Sequence, residues 1–153
     1  MDSRVTIVPA QFKHVARIAR HMRAVDKLEC TAMGRDPKSA LRNALMISEK
    51  AWTGCVDGKA EAMFGVVVNS ALTREAVPWF LGTDEVYRHG RELLMWGPGI
   101  IERLRDSRYD LANLVCSQNR QAIRLLKRWG FTVAEDDVIV RGTPFRHFEM
   151  AYV

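Results

Sequence analysis

The sequence predicts a mixed, mostly antiparallel α/β sheet with helices on both faces, and three observations carry that reading. Apolar runs bounded by turn residues are interleaved with segments whose apolar residues recur every three to four positions. One hairpin signal, Asp57-Gly58, joins two such runs. A right-handed crossover through residues 84–106 would lay the run 111–116 parallel to the run 78–83. At 153 residues and 48% hydrophobic content, the chain has the size of one domain, expected over 1–153.

The elements follow in order. Arg4 to Val8 alternates, is β-branched and ends at Pro9, which makes a first strand. Phe12, Val15, Ile18, Met22 and Val25 form one apolar helical face, and Lys13, Arg17, Arg20, Arg23 and Lys27 form another, read as solvated. After a loop from Met33, Pro37 opens a second helix to Glu49, with Leu41, Ala44, Leu45 and Ser48 in phase. Ala51 to Val56 and Lys59 to Asn69 are hairpin strands about Asp57-Gly58. Within the second, Met63 to Val68 is apolar without alternation, as in a strand buried on both faces.

Pro78 to Thr83 is a further short strand, and Thr83 or Asp84 caps the helix that follows. Gly97-Pro98-Gly99 is expected to break or kink that helix before Ile100 to Leu104 resume it. Leu111 to Cys116 is a strand, and Gln118 or Asn119 caps a helix over Arg120 to Arg128 that Gly130 terminates. Phe131 to Val140 and Phe145 to Tyr152 close the chain as a hairpin about Arg141-Gly142-Thr143-Pro144.

Composition narrows the function classes. The net charge is +5, divided as +5 over residues 1–50, −2 over 51–84, +4 over 85–131 and −2 over 132–153. The basic excess thus falls on helical regions, without interleaved aromatic or amide side chains for base contact, which argues against nucleic acid. No apolar stretch has the length of a membrane span, and the start MDSRVTIVPA lacks a signal-peptide core, so a cytoplasmic protein is expected. Cys30, Cys55 and Cys116 are widely spaced and read as reduced thiols. With His14, His21, His89 and His147 they offer no metal-ligand spacing, so no metal is expected.

One local motif carries a resemblance. Asn119-Arg120-Gln121-Ala122-Ile123-Arg124-Leu125-Leu126-Lys127-Arg128-Trp129-Gly130-Phe131 resembles the N-x-x-A-x-x-L-Y-x-x-x-G-F signature of the GNAT (GCN5-related N-acetyltransferase) superfamily. The Asp57-Gly58 hairpin and the order of elements fit that family along nearly the whole chain. More narrowly, Pro78-Trp79-Phe80-Leu81-Gly82-Thr83-Asp84 and Thr143-Pro144-Phe145-Arg146-His147-Phe148 resemble a divergent GNAT-like group of tailed phages, some of whose members are internal virion proteins.

The resemblance implies an acyltransferase that moves an acetyl or acyl group from acyl-CoA to an unidentified amine, with acetyl-CoA as co-substrate. The co-substrate would lie where the fourth and fifth strands splay apart, its pyrophosphate at the N-terminus of the next helix. Phe80, Leu81, Gly82, Arg88, His89, Gly90, Arg91 and Asn119 are the positions this assigns to cofactor binding, with an N–H from Phe80 to Gly82 polarising the thioester. Glu75, Asp84 and His89 are the candidates for a general base; capping explains Asp84 equally well, and solvation explains Glu85. Cys116, ending a buried strand, reads as packing rather than nucleophile, and Trp52, Trp79, Trp96 and Trp129 read as core.

Two departures stand beside the resemblance. The family's phosphate loop, Q/R-x-x-G-x-G/A, is absent: from Arg88 its glycine positions are Arg91 and Leu93, with Gly90 out of register. The family's tyrosine acid is replaced by Leu126, which has no proton to donate. They open a second reading, a catalytically degenerate GNAT fold with a structural or assembly role, in a virion or as a homodimer, located in the host cytoplasm or virion if phage-encoded.

Overall fold

The computed structural model describes residues 4–152; residues 1–3 and 153, including the first three of the leader reading, lie outside it. The elements run β1 (Val5–Pro9), a 3-10 turn (Phe12–His14), α1 (Val15–Arg20), α2 (Ala24–Ala32), α3 (Pro37–Ile47), β2 (Lys50–Val56), β3 (Lys59–Ser70) and β4 (Glu75–Gly82). They continue with α4 (Asp84–Tyr87), α5 (Gly90–Arg105), β5 (Asp110–Cys116), α6 (Arg120–Arg128), β6 (Thr132–Val133), β7 (Val138–Val140) and β8 (Thr143–Met150). They build one mixed sheet in the order β1-β2-β3-β4-β5-β8-β6, with β7 also paired to β8. All its pairings are antiparallel except β4 with β5.

The β2–β3 hairpin turns at Asp57 and Gly58, both at positive φ (51° and 79°), as an Asp-Gly two-residue turn requires. β3 lies between β2 and β4, and its Met63, Phe64 and Val66 are buried. On one sheet face Val15, Ile18 and Met22 of the α1 region and Leu41 of α3 pack with Ala60 and Met63. On the other, Ile101 and Leu104 of α5 and Ile123 of α6 pack with Val66, Leu111 and Val115. Helices therefore cover both faces.

Four local expectations are corrected. The stretch 12–25 is not one helix: Met22 makes a β-bridge to Thr83, and the Arg23 N–H donates to the Gly82 carbonyl (3.0 Å), so chain pairing interrupts the helix and α2 starts in a new direction. That break also buries Arg23, which does not belong to a solvated stripe. α5 runs through Gly97-Pro98-Gly99 without interruption. Pro98 lies on the exposed side, where water can serve the carbonyl that loses its partner, and Gly97 faces inward against Trp129. The helix after Thr83 instead pauses earlier, between Tyr87 and Gly90. Finally, Phe131 to Val140 gives only the short β6 and β7, separated by the acidic run Glu135-Asp136-Asp137, and the closing turn is the pair Arg141-Gly142, both at positive φ.

The feature that positions the site is where β4 and β5 part. They pair in parallel only at Glu75 with Asp110 and Ala76 with Leu111. Two residues on stands Pro78, which has no N–H to continue a ladder. Its carbonyl faces β5 and accepts instead from the Asn113 side-chain amide (2.8 Å). Beyond this contact the strands are no longer paired, and a gap opens through the sheet.

Candidate functional site

Backbone direction alternates along a strand, so the groups that face the gap can be read from their partners. Pro78 O meets Asn113, Gly82 N–H donates to Asp26 Oδ2 (2.9 Å) and Gly82 O accepts from Arg23, all on the β5 side of β4. The same alternation turns the N–H of Phe80, midway between them, into the gap. On the opposite wall the inward N–H groups of β5 are already engaged: Leu114 donates to Asn113 Oδ1 (2.7 Å) and Cys116 to Glu29 Oε1 (3.0 Å). The two walls are thus unequal.

The gap widens into a cavity of about 270 Å³, lined by Phe80 and Leu81 of β4, Leu114 and Val115 of β5, and Leu126 of α6. Polar groups enter it from α2. Asp26 and Glu29, three residues apart on α2, share one helix face, with Arg23 at the N-cap before them, and the break before α2 aims that face at the end of the gap. Arg23 donates to Asp26 Oδ1 (3.2 Å), Asn119 Oδ1 (3.2 Å) and Gln121 Oε1 (3.1 Å), and its guanidinium lies 4.0 Å from the centre of the Tyr87 ring. Asn119 caps α6 through the N–H of Ala122 (3.3 Å) and donates to Glu29 Oε1 (3.2 Å).

Burial sets the proton affinities here. It pushes the Glu29 carboxyl up to about 7, reinforced by the neighbouring Asp26, against bonds from Cys116 and Asn119 that pull it down. Asp26 is raised to about 6, again mainly by burial, with the Gly82 N–H and Arg23 opposing. The Tyr87 hydroxyl is pushed upward by burial and stays protonated. Burial also raises the Cys116 thiol, as expected of a packing residue.

The positions singled out in the sequence are dispersed around this gap. Phe80, Leu81, Gly82 and Asn119 bound it, as do Trp79 and Trp129. Arg88 and His89 form the pause between α4 and α5, and Gly90 and Arg91 open α5. There Arg88 pairs with Glu85 (2.8 Å), His89 Nε2 lies 3.5 Å from Glu85 and His89 Nδ1 lies 4.0 Å from Glu92; a side chain at Gly90 would meet open space. Glu75 sits at the opposite, closed end of β4, accepting from Thr73 Oγ1 (3.0 Å). Asp84 is exposed, 3.9 Å from Arg23 Nε.

Asp26 and Glu29, the carboxylates that do line the cavity, were not singled out by spacing or motif. The signal for them is their three-residue step from Arg23 on a helix whose Cys30 and Ala32 are buried. Among the described residues no three His, Cys, Asp or Glu side chains gather as metal ligands, and no helix is long and apolar enough to cross a membrane.

No sequence-family model matches the chain, and no curated protein matches it significantly. Solved structures do. Aminoglycoside acetyltransferase AAC(6')-Ib in complex with coenzyme A superposes with a TM-score of 0.67 at 12% identity, over 97% of this chain and 95% of that one. An acetyltransferase of the GNAT family from Bacillus anthracis gives 0.64 at 8% identity, over 97% and 95%. A GNAT-family acetyltransferase from Streptococcus pneumoniae gives 0.60 at 13% identity, over 96% and 99%. The chain therefore has the fold of the GNAT acetyltransferases, its β4–β5 pair being parallel.

Proposed function

We propose that the protein is an acyl-CoA-dependent N-acyltransferase, a single domain over residues 1–153, acting on an amine at the β4/β5 gap. One observation carries this: the gap holds an inward N–H at Phe80 on one wall and, at its end, a carboxylate, Glu29, whose proton affinity is matched to neutral pH. The fold shared with coenzyme A-binding acetyltransferases supports the choice of co-substrate.

In this mechanism Glu29 takes a proton from the acceptor ammonium. The free amine attacks the thioester carbonyl, whose developing oxyanion the Phe80 N–H stabilises. A C–N bond forms and the C–S bond breaks, the nitrogen gives up its remaining extra proton to water, and coenzyme A leaves as the thiolate. Leu126 cannot reprotonate it, so the proton released by the nitrogen reaches the sulfur through water; burial, which raises the Tyr87 hydroxyl, makes that side chain a poor donor. Arg88, His89, Gly90 and Arg91, with the first turn of α5, would meet the phosphates. With Glu29 in the role of base, Glu75, Asp84 and His89 are not required for it.

One observation favours the second reading, a catalytically degenerate fold with a structural role. Asn119 has its side-chain oxygen taken by Arg23 and the Ala122 N–H and one of its two amide hydrogens by Glu29, leaving a single N–H for a co-substrate. Thermal unfolding with millimolar acetyl-CoA separates the two. A ligand at about 100 times its Kd contributes about 2.7 kcal/mol, so the midpoint rises if the gap takes the co-substrate. A midpoint unchanged by acetyl-CoA and by longer acyl-CoA thioesters alike overturns the enzymatic reading.

A further inference from the structure

A second cavity, of about 140 Å³, lies against the α5 side of the sheet, and its lining is almost wholly carbon. Val86, Leu93, Trp96, Ile101 and Leu104 form its helical side. Its polar neighbours are confined to Glu61, His89 and Glu92, and Glu61 is held by Arg17 (2.9 Å) and by the Thr83 hydroxyl. The decisive fact is adjacency. Pro78, Trp79, Phe80, Leu126, Trp129 and Phe148 line both this cavity and the one in the gap.

The apolar chamber therefore lies next to the β4/β5 gap, on the other side of these shared side chains. Leu126, standing where the family's motif has tyrosine, is part of the shared wall and adds only carbon to it. An apolar protein cavity of roughly 150 Å³ stays dry and accepts a ring of about six carbons. An acetyl group would leave such a chamber empty.

We propose that the co-substrate carries a medium-chain acyl group of about six to eight carbons, its thioester at the Phe80 N–H and its tail in the chamber under α5. This rests on the acyltransferase reading above and names the donor class for the same site. Each methylene that leaves water is worth roughly fourfold in affinity. Octanoyl-CoA is thus expected to bind at least about 50-fold more tightly than acetyl-CoA, with no further gain at palmitoyl-CoA, whose tail exceeds the chamber.

Calorimetric titration of the whole protein with coenzyme A, acetyl-, hexanoyl-, octanoyl- and palmitoyl-CoA, and with octanoate alone, tests this. Ile101→Trp fills the chamber without touching the gap; it should abolish the octanoyl advantage and leave acetyl-CoA affinity unchanged. Leu93→Phe, a smaller intrusion, keeps the test available if the first variant does not fold. Equal affinity for acetyl- and octanoyl-CoA overturns the chain-length proposal and leaves the acyltransferase reading standing. Octanoate binding as tightly as octanoyl-CoA also overturns it, making the chamber a free-acid site. No binding by any thioester overturns both readings together.

Discussion

The two cavities share a wall yet differ in nearly everything chemical. The one in the gap receives Asp26, Glu29 and Asn119; the one under α5 receives leucine, isoleucine and tryptophan. Both are lined by Pro78, beside the end of the β4–β5 pairing, so that strand does not distinguish them. The helices do. α2 brings carboxylates because the bridge from Met22 to Thr83 redirects the chain just before it, whereas α5 lies along the sheet and presents its apolar side throughout. A fold can thus hold a proton acceptor and a hydrocarbon chamber on opposite sides of one opening, each made by a single helix.

The largest expected effect breaks the polar side. Glu29→Gln removes the base and should lower kcat/KM by about 10²- to 10⁴-fold with any acceptor that is turned over. In the unaltered protein kcat/KM should rise as pH passes through about 7, and the variant should lose that rise. Stability should move the other way. Glu29 has a folded pKa above its unfolded value, so its contribution is full below about pH 4.5 and is lost as pH rises through about 7. Gln avoids that loss, and partial exposure holds the gain on the order of 1–2 kcal/mol at pH 8, vanishing near pH 4. A variant both inactive and less stable at pH 8 would deny Glu29 this role.

Next comes the residue that organises the polar side. Arg23→Ala strands Asp26 in a buried position and removes three side-chain bonds, at an expected cost of about 3–5 kcal/mol in urea unfolding. A loss below about 1 kcal/mol, typical of a solvated arginine, would restore the sequence-based view of Arg23 as one of a surface stripe.

That contrast shows what was legible and why. The hairpin at Asp57-Gly58, the Asn119 cap and the final Gly130 rest on local chemistry, and each is present in the structure, as is two-sided burial for Met63 to Val66 of the expected Met63 to Val68 run, whose Val67 and Val68 are half-buried. The parallel β4–β5 pair that the element order implied is present as well. What escaped was set by tertiary contacts. Periodicity continues smoothly through His21 to Arg23, and only the neighbouring β4 ends the helix there. Glu29 was invisible for the same reason: nothing within α2 says that its outer side chain meets the end of β5. Pro98 erred in the opposite sense, since a breaker on the solvent side of a packed helix need not break it.

The smaller effects probe the apolar side, where α5 meets α6. A Cβ at Gly97 would stand 2.0 Å from Trp129 Nε1, so Gly97→Ala must displace the indole and its bond to the Leu93 carbonyl (3.1 Å). Overpacking costs typically ~1–3 kcal/mol, and alanine's better helix propensity returns about 1 of it. The expected net loss is therefore up to about 2 kcal/mol. Trp129→Phe, which forfeits one hydrogen bond and some area, should cost about 1 kcal/mol. Phenylalanine lacks the Nε1 atom that the new methyl would strike, so the double variant should lose less than the sum of the singles, by more than the roughly 0.5 kcal/mol scatter of independent sites. Strict additivity in chemical unfolding would mean that Gly97 and Trp129 do not meet, and that the wall shared by the two cavities is built otherwise.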